Sequence, residues 1–183
     1  MDLKEKMLSS KLIFDGRVVH LYEDRVSLPG GGVSTREYVK HIGAVCVLAL
    51  TDENEIILER QFRYPFDRVL VEIPAGKLDR ADEDLREAAL RELREETGIV
   101  PSKITYIGDF LGSPAILGER IGMFLATGLT FGEQKLDDDE FLDVFRMPLV
   151  EAVEKVISGE IVDGKTQVAV LKVYAMLQKE GKL

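Results

Sequence analysis

The segment from Gly76 to Gly98 constrains this chain more than any other, because two glycines bound a stretch of helical character that is crowded with acids. Within it, the sequence Arg-Glu-Leu-Arg-Glu-Glu-Thr-Gly at 91–98 places three carboxylates on little more than one helical turn. Glu92 and Glu96 are four residues apart, and side chains at this spacing are neighbours on a helix surface. The sequence therefore predicts a helix that carries a dense patch of negative charge.

This patch lowers the stability of its own helix. Like charges at this spacing cost roughly 0.2–0.5 kcal/mol per pair, and a helix C-terminus favours cations over anions. A solvated helix face, with its acids paired to Arg86, Arg91 and Arg94, is the ordinary interpretation of such a run. The flanking signals favour a cation site instead, because a Pro-Ala-Gly turn at 74–76 precedes the helix and Gly98 ends it. Magnesium or manganese prefers the oxygen ligands that these carboxylates offer.

Several specified residues at fixed spacing carry a family resemblance. The chain resembles the Nudix box of nucleoside-diphosphate-linked hydrolases through Glu83, Arg91-Glu92-Leu93, Glu95-Glu96 and Gly98-Ile99. Six residues separate Gly76 from Glu83, where the family pattern has five. Either the loop carries one extra residue, or Asp82 takes the first acidic position. The resemblance extends over roughly residues 34–160.

The box predicts metal ligands on the helix and beside it. Glu92 and Glu96 are the first candidates, because their spacing puts them on one helix face. Glu95 is a further ligand or a partner of the ligands, and it is also a candidate catalytic residue. The resemblance implies that the backbone carbonyl of Ala75, in the Pro-Ala-Gly turn, meets a metal as well. Arg91, between the acids, is expected to orient them rather than to contact substrate.

A second run of acids occupies residues 136–144. Taken alone, it is typical of a solvated acidic turn that opens into a strand. In the ADP-ribose pyrophosphatase branch of the family, an acidic loop here supplies a further metal ligand and the carboxylate that activates water. The resemblance implies Glu140 as the metal-side residue and a catalytic candidate. It implies Asp138 as the candidate base, with Asp137 and Asp139 as rivals.

A proline and a glutamate further along add to the resemblance. Pro114 lies fifteen residues after Ile99. A lone proline is usually a turn residue, but a proline at about this distance resembles the marker of the ADP-ribose group. Glu119, just beyond it, is a secondary catalytic candidate in the same loop.

Few basic residues lie where they could recognise a substrate. Arg63 precedes Glu72 and the Pro-Ala-Gly turn in an order similar to the ADP-ribose branch, which implies that Arg63 reaches phosphate, as the fork of a guanidinium allows. The pair Arg36-Glu37 resembles one that the family uses at the ribose or adenine end, often across a dimer. Surface charge is the alternative for each arginine. The candidate substrate-binding residues are Arg36, Glu37, Arg63, Glu72 and Pro114.

Net charge excludes some partners. A formal charge of −9 argues against non-specific binding to nucleic acid or to an anionic membrane, since both need basic surface. The single cysteine, Cys46, lies in an apolar run and is expected to be a buried, inert thiol. The chain shows neither a signal peptide nor a membrane span, so a cytoplasmic location is expected.

The hydrophobic pattern predicts an α/β (α+β) fold. The resemblance implies a Nudix αβα sandwich with a mixed sheet (43–183), preceded by an N-terminal antiparallel β-subdomain (1–42) that takes part in dimer formation. Asp79 or Asp82 is expected to cap the box helix, and the strands at 44–50 and 55–62 are expected to pair across a turn. The predicted strands are 11–15, 18–28, 34–42, 44–50, 55–62, 69–73, 104–110, 121–129 and 141–147, and the predicted helices are 82–97, 149–158 and 166–179.

The resemblance predicts a magnesium-dependent hydrolase, with manganese as a possible substitute. It would cleave the pyrophosphate bond of ADP-ribose to AMP and ribose 5-phosphate by attack of water on phosphorus, and it would be a homodimer. Hydrolysis of another nucleoside diphosphate sugar, such as a GDP-sugar, is the first alternative. A non-catalytic Nudix protein that binds ADP-ribose and regulates a partner is the second.

Overall fold

A computed structural model describes residues 2–136 and 140–183 of the chain. The chain forms two compact units, Met1–Gly43 with Leu111–Arg120, and Ala44–Phe110 with Ile121–Leu183. Over the residues described, none of the helices is long and apolar enough to cross a membrane.

The smaller unit is built on an antiparallel sheet. Strands β1 (Lys6–Asp15), β2 (His20–Ser27) and β3 (Val33–Lys40) follow one another in sequence order. Gly31 and Gly32 join β2 to β3 with φ angles of 87° and 88°, which glycine adopts without a steric penalty. The hairpin predicted at this triple glycine is therefore confirmed, and β1 begins five residues earlier than predicted.

The larger unit contains two sheets. In the first, β4 (Ala44–Ala49) pairs with β7 (Ala75–Lys77) and in parallel with β9 (Ile121–Thr130), and β8 (Val100–Phe110) lies beyond β9. In the second, β5 (Glu55–Arg63) lies between β10 (Leu142–Pro148) and β6 (Arg68–Glu72), antiparallel to both. A 3₁₀ turn, Tyr64–Phe66, connects β5 to β6.

The predicted pairing of the strands at 44–50 and 55–62 is wrong. These strands, β4 and β5, belong to different sheets. Near the turn between them, Leu50 and Ile56 form an isolated β-bridge. The turn at 51–54 passes the chain from one sheet to the other. The short strand β7 was missed, because the sequence Pro-Ala-Gly at 74–76 is typical of a turn.

The helices cover both faces of β4. Helix α1 is Leu85–Thr97, α2 is Leu149–Ser158 and α3 is Gly164–Lys179. Val45 and Val47 of β4 share a core with α1, whereas Cys46 and Leu48 share the other core with α2 and α3. Alternate side chains of a strand point to opposite faces, so the sheet is sandwiched between helices. The predicted mixed α/β sandwich is confirmed.

The ends of α1 follow the rules of helix capping, but its cap is not the predicted one. Asp84 accepts hydrogen bonds from the backbone N–H groups of Arg86 and Glu87. The prediction of Asp79 or Asp82 is wrong, because the loop before the helix is longer than the acidic pattern suggested. Gly98 ends the helix with φ of 71°, as predicted.

The one cysteine lies where the sequence predicts. Cys46 is fully buried in β4, and burial raises the pKa of its thiol to about 12. The thiolate, which is the nucleophile and the metal ligand, is therefore scarce at neutral pH.

Candidate active site

The C-terminal turn of α1 is attached to the Pro-Ala-Gly turn. The carboxylate of Glu96 accepts a hydrogen bond of 2.9 Å from the backbone N–H of Ala75, and Glu96 is 2% exposed. Ala75 opens strand β7, and the carbonyl of the preceding Pro74 accepts a hydrogen bond from Val47 of β4. The sheet therefore fixes the turn, and the turn fixes Glu96.

Glu92 lies against the same turn. A Cβ atom placed on Gly76 would be 2.0 Å from Cδ of Glu92 and 2.2 Å from each of its carboxylate oxygens. Only glycine leaves this space, which explains why the residue after Ala75 is a glycine. The carboxylate of Glu92 thus occupies a cradle beside the backbone of Ala75 and Gly76.

Arg91 links the acids of the helix, as predicted. Its Nη1 atom donates to Oε1 of Glu92 at 2.8 Å and to Oε2 of Glu95 at 3.2 Å. Its Nη2 atom donates to the carbonyl of Lys77 at 3.2 Å. These contacts hold Glu92 and the more exposed Glu95 in place.

Of the two candidates for the first acidic position of the box, Glu83 is the one that contacts helix α1. Oε2 of Glu83 accepts a hydrogen bond of 2.7 Å from the backbone N–H of Asp79, and this bond lowers the pKa of Glu83. Glu83 also pairs with Arg91 at 3.4 Å. Asp82 instead pairs with Arg80 and is 86% exposed. Glu83 therefore connects the loop at Asp79 to Arg91 of the helix, and these contacts favour the alternative in which the loop carries one extra residue.

Burial makes the inner carboxylates hard to ionise. The pKa of Glu96 is raised, first by burial and then by the charges of Glu59, Glu92 and Glu140. Burial also raises the pKa of Glu92, although Arg91 opposes the effect. Acids crowded in this way favour the approach of a cation, which would lower the cost of their ionised forms.

Sequence reasoning missed Glu59, which is fully buried on β5. Among the residues described, neither of its carboxylate oxygens has a hydrogen-bond partner. Burial and the neighbouring Glu72 raise its pKa. The sequence feature that could have revealed Glu59 is its position. It is a charged residue directly after the apolar run Ile56-Ile57-Leu58, whose pattern predicts a buried strand.

Glu140, one of the candidates from the acidic run at 136–144, lies near Glu59, Glu92 and Glu96. The charge of Glu140 raises the pKa of Glu59, Glu92 and Glu96. The candidate base Asp138 and its rivals Asp137 and Asp139 lie outside the described residues.

Arg63 and Glu72 form a buried ion pair. Nε and Nη2 of Arg63 donate to the two carboxylate oxygens of Glu72 at 2.6 and 2.7 Å. Lys165, at the start of α3, donates to Glu72 as well and lies 3.1 Å from Asp163. Burial alone would raise the pKa of Glu72, but the Arg63 and Lys165 contacts lower it. Lys165 was not predicted, because its partner is 93 residues away in sequence.

The remaining candidates belong to the smaller unit. Arg36 pairs with Glu5, the residue before β1, and Glu37 is exposed on β3. Pro114 is exposed in a turn closed by the bond from Leu117 to Ser113. Glu119 lies 3.5 Å from Nδ1 of His41.

The larger unit fits a divalent metal. Glu92 lies in its cradle beside Ala75, and Glu59 is a buried carboxylate without a hydrogen-bond partner in the described chain. An all-oxygen donor set suits magnesium or manganese. In the ranges 2–136 and 140–183, no three Asp, Glu, His or Cys side chains are already gathered around one point.

Comparison with known proteins identifies the family to which the chain belongs. Residues 40–165 match the NUDIX domain, and residues 5–39 match the nucleoside diphosphate sugar hydrolase N-terminal domain. The chain belongs to the Nudix family of hydrolases, as the box predicted. Members of this family generally need a divalent metal.

Two relatives and one solved structure resemble the chain over most of its length. The ADP-ribose pyrophosphatase of Bacillus subtilis (strain 168) is 48% identical over 170 residues, which cover 92% of this chain and 91% of that protein. The methanol dehydrogenase activator of Bacillus methanolicus is 44% identical over 181 residues, with 98% and 96% covered. A crystal structure of an ADP compounds hydrolase has a TM-score of 0.85 over 98% of this chain and 97% of that one, and its 19% identity shows likeness of fold alone.

Proposed function

We propose that this chain hydrolyses the pyrophosphate bond of ADP-ribose to AMP and ribose 5-phosphate, with Mg²⁺ as its metal and Mn²⁺ as a possible substitute. The observation that carries the proposal is the pair of α1 carboxylates, Glu92 and Glu96, held against the turn at Ala75 and Gly76. Membership of the Nudix family and the likeness to an ADP-ribose pyrophosphatase support it.

Glu92, Glu96 and the carbonyl of Ala75 would hold the metal, with Glu140 as a further ligand. When bound, a divalent ion supplies charge that neutralises the pyrophosphate oxygens and activates water for attack on phosphorus. Arg91 keeps Glu92 and Glu95 from drifting apart by bonding to both.

Arg63 is the proposed phosphate ligand. Its side chain is 37% exposed, while its Nε and Nη2 atoms are fixed on Glu72. Glu72, itself buried, therefore positions Arg63 rather than facing solvent. A guanidinium held by such a fork loses little freedom when it binds a phosphate oxygen.

Other parts of the proposal come from the family resemblance. They are the substrate contacts of Arg36, Glu37 and Pro114, and the catalytic parts of Glu95, Glu119, Asp138 and Glu140. The homodimer, the cytoplasmic location and the boundary between 1–42 and 43–183 also stay predictions.

Release of AMP from ADP-ribose, with magnesium and with EDTA, tests the proposal. We expect turnover with magnesium and none with the chelator. Binding of ADP-ribose without AMP release would overturn it in favour of a regulatory protein.

Hydrolysis of another nucleoside diphosphate sugar is the second candidate, favoured by the match of residues 5–39 to a domain of that class. A panel with GDP-mannose and other nucleoside diphosphate sugars at equal concentration separates the two. The candidate with the highest kcat/KM in this panel is the preferred substrate class.

A further inference from the structure

Glu59 is directed towards helix α1 by the alternation of its strand. Ile57 packs in the core that includes α1, and Leu58 packs in the core that includes α2 and α3. Because side chains two apart on a strand share a face, Glu59 lies on the Ile57 side. Glu96 and Glu92 lie on the helix that covers this side.

Among the described residues, the carboxylate of Glu59 lacks a hydrogen-bond donor, and the charges of Lys165 and Arg63 oppose only part of the rise in its pKa. Its cross-strand neighbour Glu72 takes the hydrogen bonds of Arg63 and Lys165. No donor in the described part of the chain reaches either oxygen of Glu59, which is 0% exposed. A buried carboxylate without a partner is costly, and proteins keep one where it is paired or coordinates a metal.

Glu59 faces the proposed metal ligands. Its charge is the largest charge effect on Glu96, and Glu140 acts on both residues. Glu59 on the sheet and Glu96 on α1 therefore lie close enough for their charges to interact.

We propose that Glu59 is a further carboxylate of the divalent-cation site, contributed by strand β5 on the Glu96 side. The proposal rests on the metal site of the proposed function and extends it by one residue outside the Nudix box. The fully buried, partnerless oxygens of Glu59 are its independent support. A bound cation would give a partner to the two carboxylate oxygens that lack a hydrogen bond.

Metal binding in the absence of substrate tests this inference. Titration calorimetry with MgCl₂ and MnCl₂ would compare the wild-type protein with Glu59→Gln, Glu59→Val and Glu55→Gln. Glu55 is the matched control, since it lies on the same strand and the same face, about 13 Å away at the rise of a strand. Thermal unfolding of each protein, in EDTA and in saturating metal, gives a second readout.

We expect both Glu59 variants to bind metal at least about 10-fold more weakly. In EDTA at neutral pH their Tm should rise by about 3 °C, because the fold no longer has to bury an acid that ionises freely in the unfolded chain. The increase of Tm on adding metal should shrink in both. Glu55→Gln should bind metal as the wild-type protein does.

Wild-type metal affinity in Glu59→Val would overturn the inference. A fall of Tm in EDTA for Glu59→Gln and Glu59→Val would do so too, since it would show a structural role. Failure of the proposed function looks different, because an enzyme inactive on every sugar nucleotide could still bind metal through Glu59. Conversely, intact activity on ADP-ribose with unchanged metal binding in Glu59→Val would leave the proposed function standing without this residue.

Discussion

The carboxylate of Glu96 accepts a hydrogen bond from the backbone N–H of Ala75, 21 residues earlier in the chain. This bond joins the last turn of α1 to strand β7, whose backbone is itself paired with β4. A side chain proposed as a metal ligand is thus held by the same turn whose carbonyl is proposed as another. The two groups therefore keep their spacing whenever the sheet is intact.

Replacement of Glu96 by glutamine should separate folding from function. The amide oxygen of the new side chain can still accept from the N–H of Ala75, so the free energy of unfolding should change by less than about 1 kcal/mol. Metal-dependent release of AMP should fall at least about 100-fold, because a charged ligand is lost. Circular dichroism, urea denaturation and the AMP assay measure the three quantities.

The control for this variant is Glu87→Gln, on the first turn of the same helix, where Glu87 pairs with Arg86 at the surface. It should retain full activity. Unchanged turnover in Glu96→Gln would remove Glu96 from the mechanism.

Replacement of Gly76 by alanine should displace a ligand without unfolding the protein. The new methyl group would lie 2.0 Å from Cδ of Glu92, which is the far end of a flexible side chain and can move aside. We expect a stability loss of about 1 kcal/mol or less and metal binding that is about 10-fold weaker. Gly30→Ala is the control, because a Cβ there meets nothing within 4 Å. Equal metal affinity in the two variants would contradict the cradle.

Local sequence patterns correctly predicted the buried face and the end of helix α1. Period-3.6 spacing predicts Leu85, Ala88, Ala89 and Leu93 as the inward face of α1. The last three are fully buried, whereas Leu85 is only partly buried against the same core. Gly98 ends the helix as predicted. The spacing of the box indicated Glu92 and Glu96 as candidate metal ligands. These features depend on neighbours within one or two helical turns, which a sequence shows directly.

What the sequence did not reveal depends on distant pairing. The partners of β4 and β5 are set by which sheet each strand joins, and a turn between them is compatible with both arrangements. From the sequence alone, Glu59 is a residue of a strand and Lys165 is a residue of a helix. Only the fold shows that Glu59 lies near Glu96 and that Lys165 bonds to Glu72. Contacts between charged residues that are distant in sequence therefore could not be predicted.

The metal-free protein should lose stability as pH rises above about 4.3, the ordinary pKa of glutamate. The folded state raises the pKa of Glu59 and Glu96, so the unfolded chain releases these protons first and gains stability relative to the fold. Glu72, whose pKa is lowered, acts in the opposite sense only below this range.

Urea denaturation in EDTA at pH 5, 6, 7 and 8 measures the effect. Glu59→Gln should show a shallower decline than the wild-type protein, and saturating magnesium should flatten the curve for the wild type. A stability that rises steadily from pH 5 to 8 would show that these two acids are ionised at no cost in the fold.

Replacement of Lys165 by methionine should destabilise the protein strongly. Lys165 is 9% exposed at the side chain and bonds to Glu72, which is 2% exposed, so its removal leaves a buried carboxylate with Arg63 alone. Losing one partner of a buried pair typically costs about 3 kcal/mol, and urea denaturation at pH 7 should show a loss of this size. The matched control is Lys155→Met, since Lys155 pairs with Glu160 at the surface, where water and salt screen the charges. Because Glu72 also holds Arg63, the Lys165 variant should raise KM for the substrate more than it lowers kcat. A stability loss no larger than that of Lys155→Met would mean that Arg63 by itself compensates the charge of Glu72.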